Sequence, residues 1–202
     1  MDMKKVITIS REFGSGGREF ARRLADKLEI AYYDREIISE LAKRTNLAEG
    51  YINSLNEHRP APLFPITVGQ TISPVPDAVW TQHNTIFIEQ TNLLKELAEK
   101  SDCVIVGRCA DHILKDFNPL RIRLYADMNS RIERCKARAD RNEKLTDREY
   151  KQKINEIDKN RAKYYQFYTG KRWDDELNYD LLINTTDKDI KQLAEYFAQI
   201  LK

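Results

Sequence analysis

Residues 6–10 form an unbroken, β-branched apolar run, VITIS. A strand that is apolar on both faces belongs inside a parallel sheet, with helices covering it on both sides. A glycine-rich turn follows, and the spacing then becomes helical. Phe20, Ala21, Leu24, Ala25 and Leu28 recur on one side of a helix predicted over 18–29. The alternation continues with a strand at 30–33 and a helix at 34–44, whose Ile37, Ile38, Leu41 and Ala42 share a face. Further on, the pattern predicts a helix over 81–100, strands at 103–106 and 120–125, and an arginine-rich helix over 129–141. A long helix over 146–168 opens with Thr146 and Glu149 in capping-box spacing. A fifth strand at 179–184 and a helix over 186–201 close the chain.

Strands that alternate with helices predict an α/β fold of three layers, a five-stranded parallel sheet flanked by helices on both faces. The 202 residues suffice for one domain with a core of its own. Residues 56–80 break the pattern and hold Pro60, Pro62, Pro65, Pro74 and Pro76. A connection this long inside a compact domain is expected to serve a function. In such sheets the ligand sits beyond the carboxyl ends of the strands. That places the chemistry in residues 10–19, at Asp34-Arg35, at Gly107-Arg108 and at Ala126-Asp127.

Charge and composition narrow the class. Lys plus Arg is 34 and Asp plus Glu is 32, a net +2 that argues against a nucleic-acid binder. Cys103, Cys109 and Cys135 fit no zinc or redox spacing and read as reduced thiols; His58, His83 and His112 share no metal-ligand spacing, so no metal site is assigned. No stretch approaches the roughly 20 apolar residues of a membrane span, and no signal peptide is evident. The expectation is a cytoplasmic protein without a membrane partner.

The turn after the first strand reads Ser10-Arg11-Glu12-Phe13-Gly14-Ser15-Gly16-Gly17-Arg18-Glu19. Glycines let backbone N–H groups approach an anion, and the helix that follows points its positive end at the same place. Arg18 adds a two-pronged phosphate donor. The ordinary alternative is a glycine-rich strand-to-helix turn without a ligand. The phosphate-loop pattern G-x-x-x-x-G-K-[S/T] wants glycine where Arg11 stands, lysine at Gly17 and a hydroxyl at Arg18. Shifted by one residue, Arg18 takes the lysine role and Glu19 the hydroxyl role. Neither register supplies the usual Mg²⁺-binding hydroxyl. A dinucleotide fold is the competing reading, because Asp34 lies about twenty residues after Gly14. Its third glycine, however, would fall on Glu19.

Two helices carry charge where it has to be explained. Ile154, Ile157, Tyr165 and Tyr168 form an apolar stripe with Arg161 in its middle and Asp158 at its edge. An i,i+3 ion pair that merely supports the helix is one reading; a cleft-lining pair that grips a polar ligand is the other. Arg131, Arg134, Arg138 and Arg141 share one helical face. Residues 131–163 hold 12 basic and 7 acidic residues, an excess suited to an anion site. Such arginines either coat a solvated face or close over phosphates.

The opening ISREFGSGGREFARRLADKL, then YYDREII, VIVGRCADHIL, DKNRAKYYQFYTGKRW and YDLLINT, together resemble the cytidylate kinase-like proteins, a branch of the nucleoside monophosphate kinases. The resemblance spans nearly the whole chain. It implies a P-loop kinase fold, ATP with Mg²⁺ as phosphoryl donor, and a small-molecule nucleotide acceptor, CMP or dCMP. It assigns Phe13, Gly14, Ser15, Gly16, Gly17, Arg18 and Glu19 to the donor-phosphate loop. Asp34, Arg108, Asp158 and Arg161 fall to the acceptor, residues 56–80 to the acceptor-binding region, and 138–148 to a lid. Arg18, Arg138 and Arg141 are the cations expected to act on the transferring group. A nucleotide-binding sensor without turnover, and a kinase for another small phosphate acceptor, are the alternatives.

Overall fold

The computed structural model describes residues 4–50, 52, 67–68, 71–72, 77–139 and 145–202. Its centre is the apolar run at the amino end, strand β1 (Val6–Arg11). Helix α1 (Gly17–Leu28), β2 (Ala31–Tyr33) and α2 (Glu36–Thr45) follow. A two-stranded antiparallel ribbon, β3 (Thr67–Val68) and β4 (Thr71–Ile72), precedes the long helix α3 (Asp77–Lys100). Then come β5 (Cys103–Val106), the one-turn α4 (Ala110–Ile113), β6 (Leu120–Tyr125) and α5 (Met128–Ala137). Helix α6 (Asp147–Thr169), β7 (Leu181–Asn184) and α7 (Ile190–Leu201) complete the chain.

β2, β5, β1, β6 and β7 pair in that order into one sheet, parallel throughout. The order separates this fold from the dinucleotide type, in which the second strand lies beside the first. Here β5 lies between them. The connections run to one side of β1 and then return to the other, so the turn after β1 opens at the switch point where such sheets bind ligands.

The continuous apolar strands are explained by two cores. Val6, Cys103 and Ile105 face a cluster with Ile37, Leu41, Leu94 and Tyr165 from α2, α3 and α6. Their neighbours Ile7, Ile9, Val104 and Val106 face the other side, against Phe20 and Leu24 of α1 and Ala194 of α7. Each fully buried large side chain contributes about 1.5–3 kcal/mol. A third, smaller cluster of Ile132, Tyr150 and Ile154 packs Phe13 beneath the turn after β1. Cys103 and Cys109 are buried thiols, and no cysteine forms a disulfide.

Several element ends differ from the sequence pattern. The helix expected from residue 34 starts at Glu36, because the Asp34 side chain pairs with Arg18 while its amide donates to Glu36 Oε2. The last helix starts at Ile190 rather than 186, because Asp189 caps it by accepting from the Lys191 and Gln192 amides. The long third helix reaches back to Asp77, into the proline-rich stretch. The Thr146–Glu149 capping box forms in both directions. Much of 56–80, and residues 140–144 within the expected lid, lie outside the described residues.

Candidate active site

Arg11 is the last residue of β1, and α1 begins at Gly17. Gly14 and Gly16 sit at φ near +79° and +81°, a backbone that glycine adopts freely. Space reinforces the choice at Gly14, where a Cβ would lie 2.8 Å from the Arg131 carbonyl oxygen. Gly16 is the N-cap of α1 and supplies no side-chain cap, so the first-turn amides of the helix face the turn unsatisfied by their own helix. Ser15 is fully buried; its hydroxyl donates to Glu12 O at 2.9 Å, and its carbonyl accepts from Thr185 Oγ1 at 2.7 Å.

Distant side chains shape the turn. Asp158 Oδ1 accepts the Phe13 amide at 2.8 Å, and Asp158 Oδ2 accepts from Arg131 Nη2. Arg131 also donates from Nε to Phe13 O at 2.7 Å and from Nη1 to Glu12 Oε2 at 3.2 Å. Its side chain is only 7% exposed. Arg161 Nη1 donates to Arg11 O at 3.1 Å and lies 3.5 Å from Asp158 Oδ1, with its guanidinium 5.6 Å from the Phe13 ring centroid. The structure thus brings Asp158 and Arg161 directly against the loop backbone.

The arginine face of α5 divides into separate tasks. Arg131 turns inward as described. Arg134 donates to the carbonyls of Thr185 and Lys188. Arg138 pairs with Glu19, which also accepts from Arg23 Nε at 2.8 Å. Arg141 lies outside the described residues.

Two clefts adjoin at the loop. One, of 320 Å³, is lined by the loop from Arg11 to Arg18 and by Arg134, Arg138, Lys153 and Arg161. The other holds Asp34, Arg108, Asp111, Tyr164 and Trp173. Arg11, Arg18 and Arg161 line both. Arg18 and Asp34 meet at this seam, with Nε 2.5 Å from Oδ2. Arg108 stands at φ +62° in a run of three left-handed residues from Gly107 to Cys109, directly after β5. Non-glycine residues hold such backbone only where the surroundings enforce it, and such positions concentrate at functional sites. Asp111 accepts from Tyr165 Oη at 2.5 Å, and burial pushes its carboxyl above the ordinary aspartate range.

Sequence reasoning missed Arg11, whose position in the phosphate-loop pattern calls for glycine. It also missed the role of Thr185, which ends the YDLLINT segment but lies far from the phosphate loop in sequence.

A family profile described as the cytidylate kinase-like family matches residues 6–187. The chain belongs to that family. Among solved structures, an uncharacterized protein from Eubacterium ventriosum is 26% identical over 98% of each chain, with a TM-score of 0.70. The shikimate kinase of Bacteroides thetaiotaomicron is 16% identical over 98% of each chain, with a TM-score of 0.57. That of Acinetobacter baumannii, solved with shikimate, is also 16% identical, over 99% of this chain and 94% of its own, with a TM-score of 0.54. No curated protein matches. The fold is that of the P-loop kinases, three layers around a parallel sheet.

Kinases of this family imply ATP and commonly Mg²⁺. The loop suits a polyphosphate: open first-turn amides, two positive-φ glycines and five arginines at the seam and cleft walls. No group of three or more His, Cys, Asp or Glu among the described residues is placed to hold a metal ion. Mg²⁺ is usually carried on substrate phosphates with several of its waters, and the loop would receive it in that form. Among the described residues, no helix is long and apolar enough to cross a membrane.

Proposed function

We propose that this protein is an ATP-dependent phosphotransferase acting on a nucleoside monophosphate, with CMP or dCMP the expected acceptor. The observation that carries the reading is the pair of adjoining clefts with Arg11, Arg18 and Arg161 on their shared boundary. A donor phosphate on one side and an acceptor phosphate on the other would meet at those cations.

ATP supplies the activated phosphoryl group. The backbone from Gly14 to Gly17 and the first turn of α1 hold its phosphates by N–H donation. Asp34 and Arg108 orient the acceptor, and Arg161 neutralises charge where the two phosphates approach. Asp158 and Arg131 act from behind, by fixing the Phe13 backbone. Little covalent chemistry is asked of the protein; positioning, charge neutralisation and exclusion of water carry the rate. Arg138, held on Glu19 at the rim of α1, closes the donor side.

A coupled ADP-release assay with ATP, Mg²⁺ and a panel of nucleoside monophosphates tests this. Stimulation by CMP or dCMP supports the reading and names the acceptor. One observation favours a second reading: Gly17 stands at the lysine position of the loop. On that reading the protein binds nucleotide without turnover, and calorimetry would detect ATP binding while no acceptor stimulated ADP release.

A further inference from the structure

A glycine ordinarily closes the first strand of a phosphate loop, and a lysine opens its helix. In this chain the two residue types have changed places. Arg11 ends β1, and Gly17 is the first residue of α1. The exchange is reciprocal in space as well as in sequence. A Cβ on Gly17 would lie 2.4 Å from Arg11 Cβ and 3.0 Å from its Cγ, so a side chain at 17 excludes the stem of the one at 11.

The far end of Arg11 meets a second clearance. A Cβ on Gly107 would lie 2.1 Å from Arg11 Nη1 and 3.2 Å from its Cζ. Two glycines, one after β1 and one after β5, therefore open a passage for a single side chain. The passage leads to the seam, since Arg11 lines both clefts.

The charge there is predominantly positive. Burial opposes the Arg11 cation first, and the neighbouring Arg161, Arg18 and Arg108 oppose it further, while Asp34 favours it. Asp34 is already paired with Arg18. A guanidinium keeps its proton under these conditions. Arg11, Arg18, Arg108 and Arg161 thus converge on one cleft, a concentration of positive charge that suits an anionic ligand.

We propose that Arg11 is the phosphate-binding cation of this loop, standing in for the lysine absent at position 17, and that it holds the phosphoryl group as it crosses from one cleft to the other. The proposal rests on the phosphotransferase reading above. In the step, the bond from the terminal phosphorus to the bridging oxygen breaks, and ADP leaves with the electron pair. A bond from an acceptor phosphate oxygen to the same phosphorus forms. Arg11 exchanges no proton; its planar fork holds two phosphoryl oxygens where a lysine would offer a point charge.

Five variants test this, Arg11→Ala, Arg11→Lys, the single changes R11G and G17K and the double R11G/G17K, each followed by ATP calorimetry, ADP release and a melting curve. Arg11→Ala is expected to weaken ATP binding about tenfold and to lower turnover roughly 100-fold, with the fold retained. Arg11→Lys recovers part of both. R11G/G17K, which restores the usual arrangement, binds ATP better than R11G alone; G17K alone, with Arg11 in place, melts earlier. If Arg11→Ala binds ATP and turns over like the unmodified protein, the proposal falls and the kinase reading stands. If the unmodified protein binds no ATP, both fall. If it binds ATP but no acceptor is phosphorylated, the kinase reading falls, and the ATP affinity of Arg11→Ala alone decides the role of Arg11. Should the double variant fail to fold, the alanine and lysine variants decide.

Discussion

The Phe13 amide donates to Asp158 Oδ1 at 2.8 Å, across 145 residues of sequence. The other Asp158 oxygen is taken by Arg131, which in turn holds the Phe13 carbonyl. One carboxylate and one guanidinium thereby clamp both polar groups of a single loop residue. Asp158→Ala takes one acceptor from the buried Arg131 and leaves the Phe13 amide without its own. It is expected to lower stability by about 2–3 kcal/mol and to weaken ATP binding as the loop loosens. Urea unfolding with an unchanged slope reads the first effect and calorimetry the second. A variant as stable as the parent would show that the clamp does not hold the loop.

Arg161 differs from Asp158 in facing the clefts. Its side chain is 23% exposed and lines both of them. Arg161→Ala is expected to reduce kcat/KM for the acceptor by roughly 100-fold, with a smaller loss in ATP affinity. Steady-state kinetics over both substrates separates the two effects. Unchanged acceptor kinetics would remove Arg161 from the site.

Asp111 gives a pH signature. Burial raises its folded carboxyl above the ordinary aspartate value, against the opposing hydrogen bond from Tyr165. The folded state therefore holds this proton to higher pH than the unfolded chain does. The group's contribution to stability is fully present below the unfolded pKa and is lost as pH rises through the raised folded value. Asp111→Asn keeps an acceptor for Tyr165 Oη and removes the ionisation. Its melting temperature is expected to exceed the parent's at pH 7.5, with the gap closing towards pH 4. A gap that widens on acidification contradicts the assignment.

The three thiols are expected to react unequally. Cys103 is buried with its pKa pushed up to about 11, and burial raises Cys109 well above the ordinary thiol range. Cys135 is half-buried and lines the donor-side cleft. Iodoacetamide at pH 8 is expected to label Cys135 first, and saturating ATP to slow that labelling. Peptide mass spectrometry distinguishes the sites, and labelling of Cys135 that ATP leaves unchanged would place the nucleotide elsewhere.

The sheet was readable because each central strand packs on both faces, which leaves an apolar run that no other element here imitates. The loop was readable because phosphate binding demands glycine in a fixed relation to a strand and a helix. Helical spacing placed Arg161 in the middle of an apolar stripe and Asp158 at its edge, and both contact the loop. Other features depend on partners far away in sequence. Periodicity puts Arg131, Arg134 and Arg138 on one face of α5, but it does not reveal that Glu12, Thr185 and Glu19 each capture one of them. Arg11 was hidden by the pattern itself, since a glycine is sought at its position. Its significance appears only when Gly17 and Gly107 are seen against its side chain.

The Ser15 carbonyl is held by Thr185 Oγ1, and Gly16 packs against Ile190, whose Cδ1 would lie 2.7 Å from an added Cβ. Two of the groups that brace the loop thus stand about 170 residues further along the chain than the loop itself. A growing chain therefore carries the glycine-rich motif through the synthesis of everything between, without those two braces. The loop is fully braced only when β7 and α7 dock, so that a ribosome stalled before residue 185 displays a complete signature on an unfinished loop.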